Sequence, residues 1–221
     1  MQTEFKYIQQ IKQIEQRLMK LFKNESTGHD WFHTSRVSKL SMHIAKDYNV
    51  NLDVVCLGAL LHDVSDHKFN GGDLEKGGQI AKKWMDELNI DAVVQLNVLH
   101  IVNNISYKGA QVENKISSLE GKIVQDADRL EAIGAIGIAR TFAFGGFIGQ
   151  PIYDPEITPT LYQNFESYSK ERTHTINHFY EKLLLLKDKM HTSKGKEIAE
   201  ERHQLMENFL KEFYKEWEVN L

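Results

Sequence analysis

The most constraining feature of this sequence is an uncharged run that ends directly in a histidine and an aspartate. Residues 54–61 read Val-Val-Cys-Leu-Gly-Ala-Leu-Leu and are followed by His62 and Asp63. The run predicts a buried helix, with Asn51 available as its N-cap. His62 and Asp63 then lie on the last buried turn, where an unpaired charge is costly unless a metal ion or a hydrogen-bond partner offsets it. The alternative is a hydrogen-bonded core histidine beside a solvent-exposed acid.

Two further ionisable side chains interrupt apolar stripes on other predicted helices. In a helix over about 30–48, capped by an aspartate, His33 continues the apolar face. In a long helix predicted over about 119–143, Asp128 and Glu131 fall on the apolar stripe. Both His33 and Asp128 are therefore expected to face the core. The structural alternatives are a hydrogen-bonded core histidine and an internal salt bridge to a nearby arginine.

Together these side chains form one mixed set of nitrogen and oxygen donors. The set comprises His33, His62, Asp63 and Asp128. Two imidazoles and two carboxylates suit a first-row divalent ion, and we expect one such ion, Mn first, with Fe, Co, Ni or Zn as alternatives and Mg less favoured by histidine. Four protein ligands on an octahedral ion leave two positions for water and a substrate oxygen. The pattern indicates a catalytic metal centre.

Composition indicates an ordinary globular protein with no bulk attraction to nucleic acid or acidic membranes. The 221 residues are 41% hydrophobic and 26% charged, with a net charge of −4, so neither a nucleic-acid polymer nor an acidic membrane is an expected partner. The single cysteine, Cys56, excludes an internal disulfide, and the N-terminus lacks the apolar core of a signal peptide, so we expect a cytoplasmic location. Helical spacing further predicts helices over about 3–25, 73–88 and 91–105.

The last third of the chain combines a long loop with C-terminal helices. The segment 145–172 contains all three prolines, and a loop of this length is usually a lid, a binding loop or a dimer interface. Two helices are predicted within 173–217, one over about 174–190 and one over about 193–217, and on the first of them His178 and Lys182 lie one turn apart. Arg202 falls in an apolar stripe, where a guanidinium requires a carboxylate or a phosphate. A structural salt bridge is the alternative for Arg202.

The histidine, the His-Asp doublet and the later aspartate occur in an order that resembles the HD superfamily of metal-dependent phosphohydrolases. Asp128 stands in the context Asp-x-Asp-Arg-Leu, and the match runs from about His29 to Phe144. The segments that look like the bacterial YpgQ-type subgroup are 28–33, 62–68 and 176–182. The resemblance implies an all-α HD-domain bundle with additional C-terminal helices. It implies a single domain over 1–221 whose metal-site core covers about 26–144.

Carried over residue by residue, the resemblance also implies roles. The metal ligands would be His33, His62, Asp63 and Asp128. Asp66 matches an acidic residue that some HD nucleotidases carry, and it would orient the attacking water or transfer its proton; a turn acid is the alternative. Positive side chains would neutralise the phosphate chain, as phosphoryl transfer requires. The candidates for this role are His67, Lys68, His178, Lys182 and Arg202.

The subgroup resemblance implies hydrolysis of (deoxy)nucleoside triphosphates to monophosphate and pyrophosphate by a metal-activated water. The alternatives are a 5′-nucleotidase-type phosphomonoesterase and a non-catalytic nucleotide-binding regulator. The chain lacks the Glu-Asp pair of ppGpp hydrolases and the Gly-Tyr-Pro motif of cyclic-di-GMP phosphodiesterases. A nucleotide is the expected partner, with a homodimer as a further expectation. No additional histidine is convincingly placed for a second metal ion, for which His29 and His100 are the open alternatives.

Overall fold

The uncharged run folds into the buried helix that its composition predicts, α3 (Leu52–Leu61). Asn51 caps this helix, because its side-chain oxygen accepts a hydrogen bond from the main-chain N–H of Asp53 at 3.0 Å. Asp53 is buried on the first turn, where its carboxylate accepts hydrogen bonds from the N–H groups of Lys6 at 3.1 Å and Tyr7 at 3.2 Å. The charge of Asp53 is therefore matched by main-chain donors.

The computed structural model describes residues 4–23, 30–64, 76–105, 115–160 and 173–219. Within these ranges every regular element is helical, which confirms the predicted all-α fold class. The elements, in chain order, are α1 (Ile8–Leu21), α2 (Trp31–Ala45), α3 (Leu52–Leu61), α4 (Lys76–Glu87), α5 (Ala92–Asn104), α6 (Leu119–Glu131), α7 (Gly134–Phe147), α8 (Asn177–Glu181), a 3₁₀ helix (Leu183–Lys189) and α9 (Ser193–Trp217).

The chain divides into two compact units. The first contains α1 to α5 and residues 119–127 of α6, and the second contains the rest of α6, from Asp128, and the helices from α7 onward. In the first unit α1, α2 and α5 all pack against α3. A Cβ at Gly58 would lie 2.9 Å from Ile101 Cδ1, so the glycine lets α5 approach closely. The single domain over 1–221 stays a prediction.

In the second unit, α9 packs against α7 and the 3₁₀ helix, and aromatic side chains fill much of the interface. Phe179 is fully buried, and its ring centroid lies 5.8 Å from that of Phe209 and 6.1 Å from that of Phe142. α9 has the bounds that the sequence predicts. Thr192 caps it by accepting a hydrogen bond from the N–H of Gly195 at 2.9 Å.

Two predicted helices differ from the structure. The prediction of a single helix over about 119–143 is wrong, because α6 ends at Glu131 and α7 begins at Gly134. Gly134 adopts a φ of +78°, which favours glycine and cannot continue a right-handed helix. The helix expected over about 174–190 is a single turn, α8, followed by a 3₁₀ helix. In the predicted loop 145–172, the last turn of α7 occupies the start, and residues 161–172 lie outside the described residues.

Within the described ranges, no single helix is both long and apolar enough to cross a membrane. The helices α6 and α7 reach that length and apolar character only as a bent pair counted together.

Burial of Cys56 within α3 predicts a pH effect on stability. Burial raises the pKa of the Cys56 thiol to about 12, from an ordinary value of 9.0. In the unfolded chain the exposed thiol loses its proton at a lower pH than in the folded protein. The free energy of unfolding is therefore expected to fall as pH rises from about 9 towards 12. Below that range this group has no effect on stability. The measurement is urea unfolding at pH 8 and pH 10.5, with Cys56→Ala as the comparison. Equal pH dependence in both proteins would contradict the expectation.

Candidate metal centre

His33 faces the core on the first turn of α2. Asp30 caps this helix, and its carboxylate accepts a hydrogen bond from the main-chain N–H of His33 at 2.7 Å. The His33 side chain is only 1% exposed and follows the same buried face as Val37 and Ile44. The cap thus fixes where α2 begins, and the helical period then directs the imidazole inward.

His62 and Asp63 follow immediately after the last residue of α3. The His62 Nδ1 atom lies 2.7 Å from the carbonyl oxygen of Ala59, and His62 is 6% exposed. A carbonyl only accepts hydrogen bonds, so Nδ1–H donates and the lone pair of the ring is on Nε2. Metal-binding histidines usually have their second nitrogen fixed in this way. Sequence reasoning could not find this contact because its acceptor is a main-chain atom.

The carboxylate of Asp63 meets both histidines. Its Oδ2 atom lies 3.3 Å from His62 Nε2 and 3.6 Å from His33 Nε2. The two imidazole rings are 5.4 Å apart between centroids and inclined at 69°, so their Nε2 atoms approach the carboxylate from different directions. The Asp63 side chain keeps 18% exposure. The three groups therefore converge at a largely buried point, and part of the Asp63 side chain remains exposed.

Asp128 joins this group from α6, whose preceding residues 119–127 are part of the first unit. One possible ligand atom from each of His33, His62 and Asp128 lies within 4.8 Å of the others. The helix break after Glu131 does not affect this position, because Asp128 precedes it on a continuous helix. His33, His62 and Asp128 are therefore recognised as one possible metal-binding group, and the four-residue set that includes Asp63 stays a prediction.

The donor set fits a divalent metal ion. With metal–ligand distances of about 2.1 Å, neighbouring ligands on an octahedral ion lie about 3.0 Å apart and opposite ligands about 4.2 Å apart. The separations of 3.3 Å and 3.6 Å between Asp63 and the histidines fall between these values, and candidate ligand atoms of His33, His62 and Asp128 all lie within 4.8 Å of one another. Two neutral imidazoles and two carboxylates also match the charge of a divalent cation. The metal-binding roles of the individual residues stay predictions.

Other predicted site residues are placed less fully. Asp66, His67 and Lys68 lie outside the described residues, as does His29. His100 is on α5, with its Nδ1 atom 3.5 Å from the amide nitrogen of Asn104. His178 and Lys182 belong to the second unit, lie at the two ends of α8 and are half-buried.

Arg202, on α9, is placed against the end of α6 in the second unit. Its Nη1 donates a hydrogen bond to the carbonyl oxygen of Leu130. Burial lowers the pKa of the Arg202 guanidinium, while the negative charge of Glu131 opposes that change. The sequence had predicted a phosphate or a carboxylate as its partner, and the structure adds a main-chain carbonyl.

Comparisons with known proteins identify the family of this chain. A family model described as the HD domain matches residues 31–133. The chain is 36% identical to YpgQ of Bacillus subtilis (strain 168) over 215 residues, which are 96% of this chain and 95% of that protein. The crystal structure of B. subtilis YpgQ in complex with ADP matches with a TM-score of 0.73 and 32% identity, covering 96% of this chain and 97% of that chain.

Two further crystal structures share the fold over nearly the whole chain. An HD-superfamily hydrolase from Bacillus thuringiensis matches with a TM-score of 0.76 and 39% identity, covering 96% of this chain and 98% of that chain. A Lactobacillus plantarum protein matches with a TM-score of 0.84 and 35% identity, with the same coverage of the two chains. The predicted resemblance is confirmed: this chain belongs to the HD domain family and is a metal-dependent phosphohydrolase of that family.

Proposed function

We propose that this protein hydrolyses (deoxy)nucleoside triphosphates to nucleoside monophosphate and pyrophosphate, with Mn²⁺ as the ion held by its donor set. The observation that carries the proposal is the convergence of two imidazoles and a carboxylate, with Asp128 within the same cluster. The relative YpgQ has been crystallised with ADP, and the diphosphate of such a nucleotide supports a phosphate-chain substrate. A nucleotide, rather than a nucleic-acid polymer, is the proposed partner.

A divalent ion at this centre would supply Lewis acidity, which polarises a phosphoryl oxygen and lowers the pKa of a bound water. The protein residues orient the ion's ligands. Ala59 holds the His62 ring through Nδ1, and the start of α2 holds His33. Asp63 and Asp128 would together balance the two positive charges of such an ion. The negative charge of the phosphate chain must then be balanced by other cationic side chains.

The residues proposed to handle the proton and to bind the phosphate chain are not among the four metal donors. Asp66 would orient the attacking water or accept its proton. The residues that would bind the phosphate chain are His67, Lys68, His178 and Lys182. Arg202 was predicted with them and stays a candidate for this role, since the Leu130 carbonyl accepts from only one of its two Nη atoms. The homodimer and the cytoplasmic location likewise stay predictions from the sequence.

Product analysis tests the proposed reaction. The protein is incubated with Mn²⁺ and a panel of nucleoside tri- and monophosphates in ¹⁸O-labelled water. Pyrophosphate in amounts equal to the monophosphate, with the label in one of these products, supports the proposal, and the labelled product identifies which phosphorus the water attacks. Orthophosphate released from monophosphates would show a 5′-nucleotidase instead. Thermal stabilisation by nucleotides without any product would indicate a non-catalytic regulator.

A further inference from the structure

Acidic residues lie near the carboxyl end of α6, a position that is unfavourable for negative charge. Asp126, Asp128 and Glu131 lie within its last two turns. The carboxyl end of a helix carries a partial negative charge, so anionic side chains there are destabilising. The last carbonyl groups of a helix also lack partners within the helix, and such ends fray when nothing else binds them. A metal ligand on this turn needs additional support.

Arginine side chains of the second unit supply that support. Arg202 donates a hydrogen bond to the Leu130 carbonyl, and Arg140 Nη1 donates to the Glu131 carbonyl at 3.2 Å. Arg129 donates to the Lys189 carbonyl, which ties the last turn of α6 to the 3₁₀ helix. The positive charges of these arginines offset the unfavourable electrostatics of the helix end, and Arg202 and Arg140 also donate to its carbonyl groups.

The contact between Arg202 and Leu130 depends on the absence of a side chain at Gly134. A Cβ at Gly134 would lie 2.9 Å from Arg202 Cγ and 3.1 Å from Arg202 Cβ. The stem of Arg202 therefore occupies the space that any other residue at position 134 would need. The φ of +78° at Gly134 excludes most other residues independently. The helix break and the arginine contact thus depend on the same glycine.

We propose that Arg202, seated against Gly134, is a positioning residue that fixes the last turn of α6 and so holds Asp128 in place for the metal ion. Leu130 is two residues after Asp128, on the same turn, so a carbonyl held at Leu130 restricts the backbone that carries the Asp128 carboxylate. Mutation of residues that orient metal ligands typically costs about 10–100-fold in metal affinity. The inference rests on the proposed metal-dependent function.

The test compares Arg202→Met with Arg17→Met. Methionine keeps most of the apolar stem of arginine and removes its charge and donors. Arg17 provides the matched control, because its guanidinium pairs with Glu87 at 2.7 Å and lies over the Trp84 ring in the first unit. We expect Arg202→Met to weaken the Kd for Mn²⁺, measured by titration calorimetry, by about tenfold, and Arg17→Met to leave it unchanged.

A second readout does not need the metal. In the metal-free protein, amide exchange of residues 129–133 is expected to be faster in Arg202→Met than in Arg17→Met, because the Leu130 carbonyl then keeps only its main-chain bond from Ile133 N–H at 3.2 Å and the turn frays more easily. Arg202→Lys keeps a positive charge but lacks the planar fork, so its Kd should lie between those of the wild type and Arg202→Met. A lower melting temperature with an unchanged Mn²⁺ Kd would show a merely structural role and overturn the inference.

Two more variants keep the test decisive if Arg202→Met does not fold. Arg140→Gln removes the donor to the Glu131 carbonyl, and Gly134→Ala displaces the Arg202 stem. Both are expected to weaken Mn²⁺ binding, and wild-type affinity in both would overturn the inference. A wild-type protein that binds no Mn²⁺, or Asp128→Asn with wild-type affinity, would overturn the proposed function together with this inference. If Asp128→Asn loses Mn²⁺ binding while the variants at Arg202, Arg140 and Gly134 keep wild-type affinity, only this inference is overturned.

Discussion

An Asp63→Asn variant is expected to lose its bound divalent ion and its hydrolytic activity together. Asparagine has the same shape, but it removes one of the two negative charges that balance the ion and replaces the carboxylate that lies 3.3 Å and 3.6 Å from the two Nε2 atoms. Outer-shell residues already change metal affinity by 10–100-fold, so we expect this donor to be worth more than about 100-fold. Metal content by mass spectrometry and turnover with Mn²⁺ measure the two effects.

The matched control is Asp188→Asn, which makes the same chemical change at an exposed position of the 3₁₀ helix. This variant should keep wild-type metal content and activity. The metal-free Asp63→Asn protein should also melt no earlier than the metal-free wild type, because the substitution keeps the side-chain volume and removes a charge from a largely buried position. An Asp63→Asn protein that retains stoichiometric metal would contradict the assignment of Asp63 as a ligand.

The parts of the fold that the sequence predicts well are those with local causes. The caps at Asp30 and Asn51 are short-range side-chain contacts, and both were identifiable from the residue type before an apolar run. The apolar composition of residues 54–61 similarly predicts that α3 is buried, as the structure shows. Because the starts of α2 and α3 are fixed locally, the inward directions of His33 and His62 follow from the helical period.

The break between α6 and α7 could not be predicted from the apolar stripe. The spacing of the stripe continues through the break, so periodicity alone favours a single helix over about 119–143. The break requires a left-handed residue, Gly134, and donors for the carbonyl groups it exposes, which come from Arg140 and Arg202. Arg202 is far from α6 in sequence. Such tertiary contacts leave no periodic signal, whereas the glycine at 134 was the available clue.

The candidate donor side chains could be predicted from the sequence, whereas the hydrogen bonds that hold them in place could not. The four donor side chains interrupt apolar surfaces, and this conflict with burial marks them in the sequence. Their supports bond to main-chain oxygens, namely those of Ala59 and Leu130. Main-chain acceptors are present at every position and carry no residue-type signal. Arg202 therefore suggested a phosphate or a carboxylate partner, because those are the partners that residue identity can predict.

A Phe179→Ala variant is expected to lower the free energy of unfolding by about 3–5 kcal/mol. The Phe179 side chain is 0% exposed, and its ring stacks on Phe209 at 26° and contacts Phe142, so alanine leaves a cavity that α7 and α9 border. Urea unfolding measures the change. The control is Phe147→Ala at 60% exposure, where we expect a change within about 0.5 kcal/mol. A loss below about 1 kcal/mol at Phe179 would contradict the expected packing.

The same variant separates core packing from ligand positioning. Phe209 and Arg202 are both on α9, but only Arg202 donates to the end of α6 that carries Asp128. Phe179→Ala should therefore destabilise the protein more than Arg202→Met does, and still bind Mn²⁺ with wild-type affinity at temperatures where it is folded. If Phe179→Ala weakens Mn²⁺ binding as much as Arg202→Met, then general loosening of α9, rather than the contact with Leu130, controls the metal ligand.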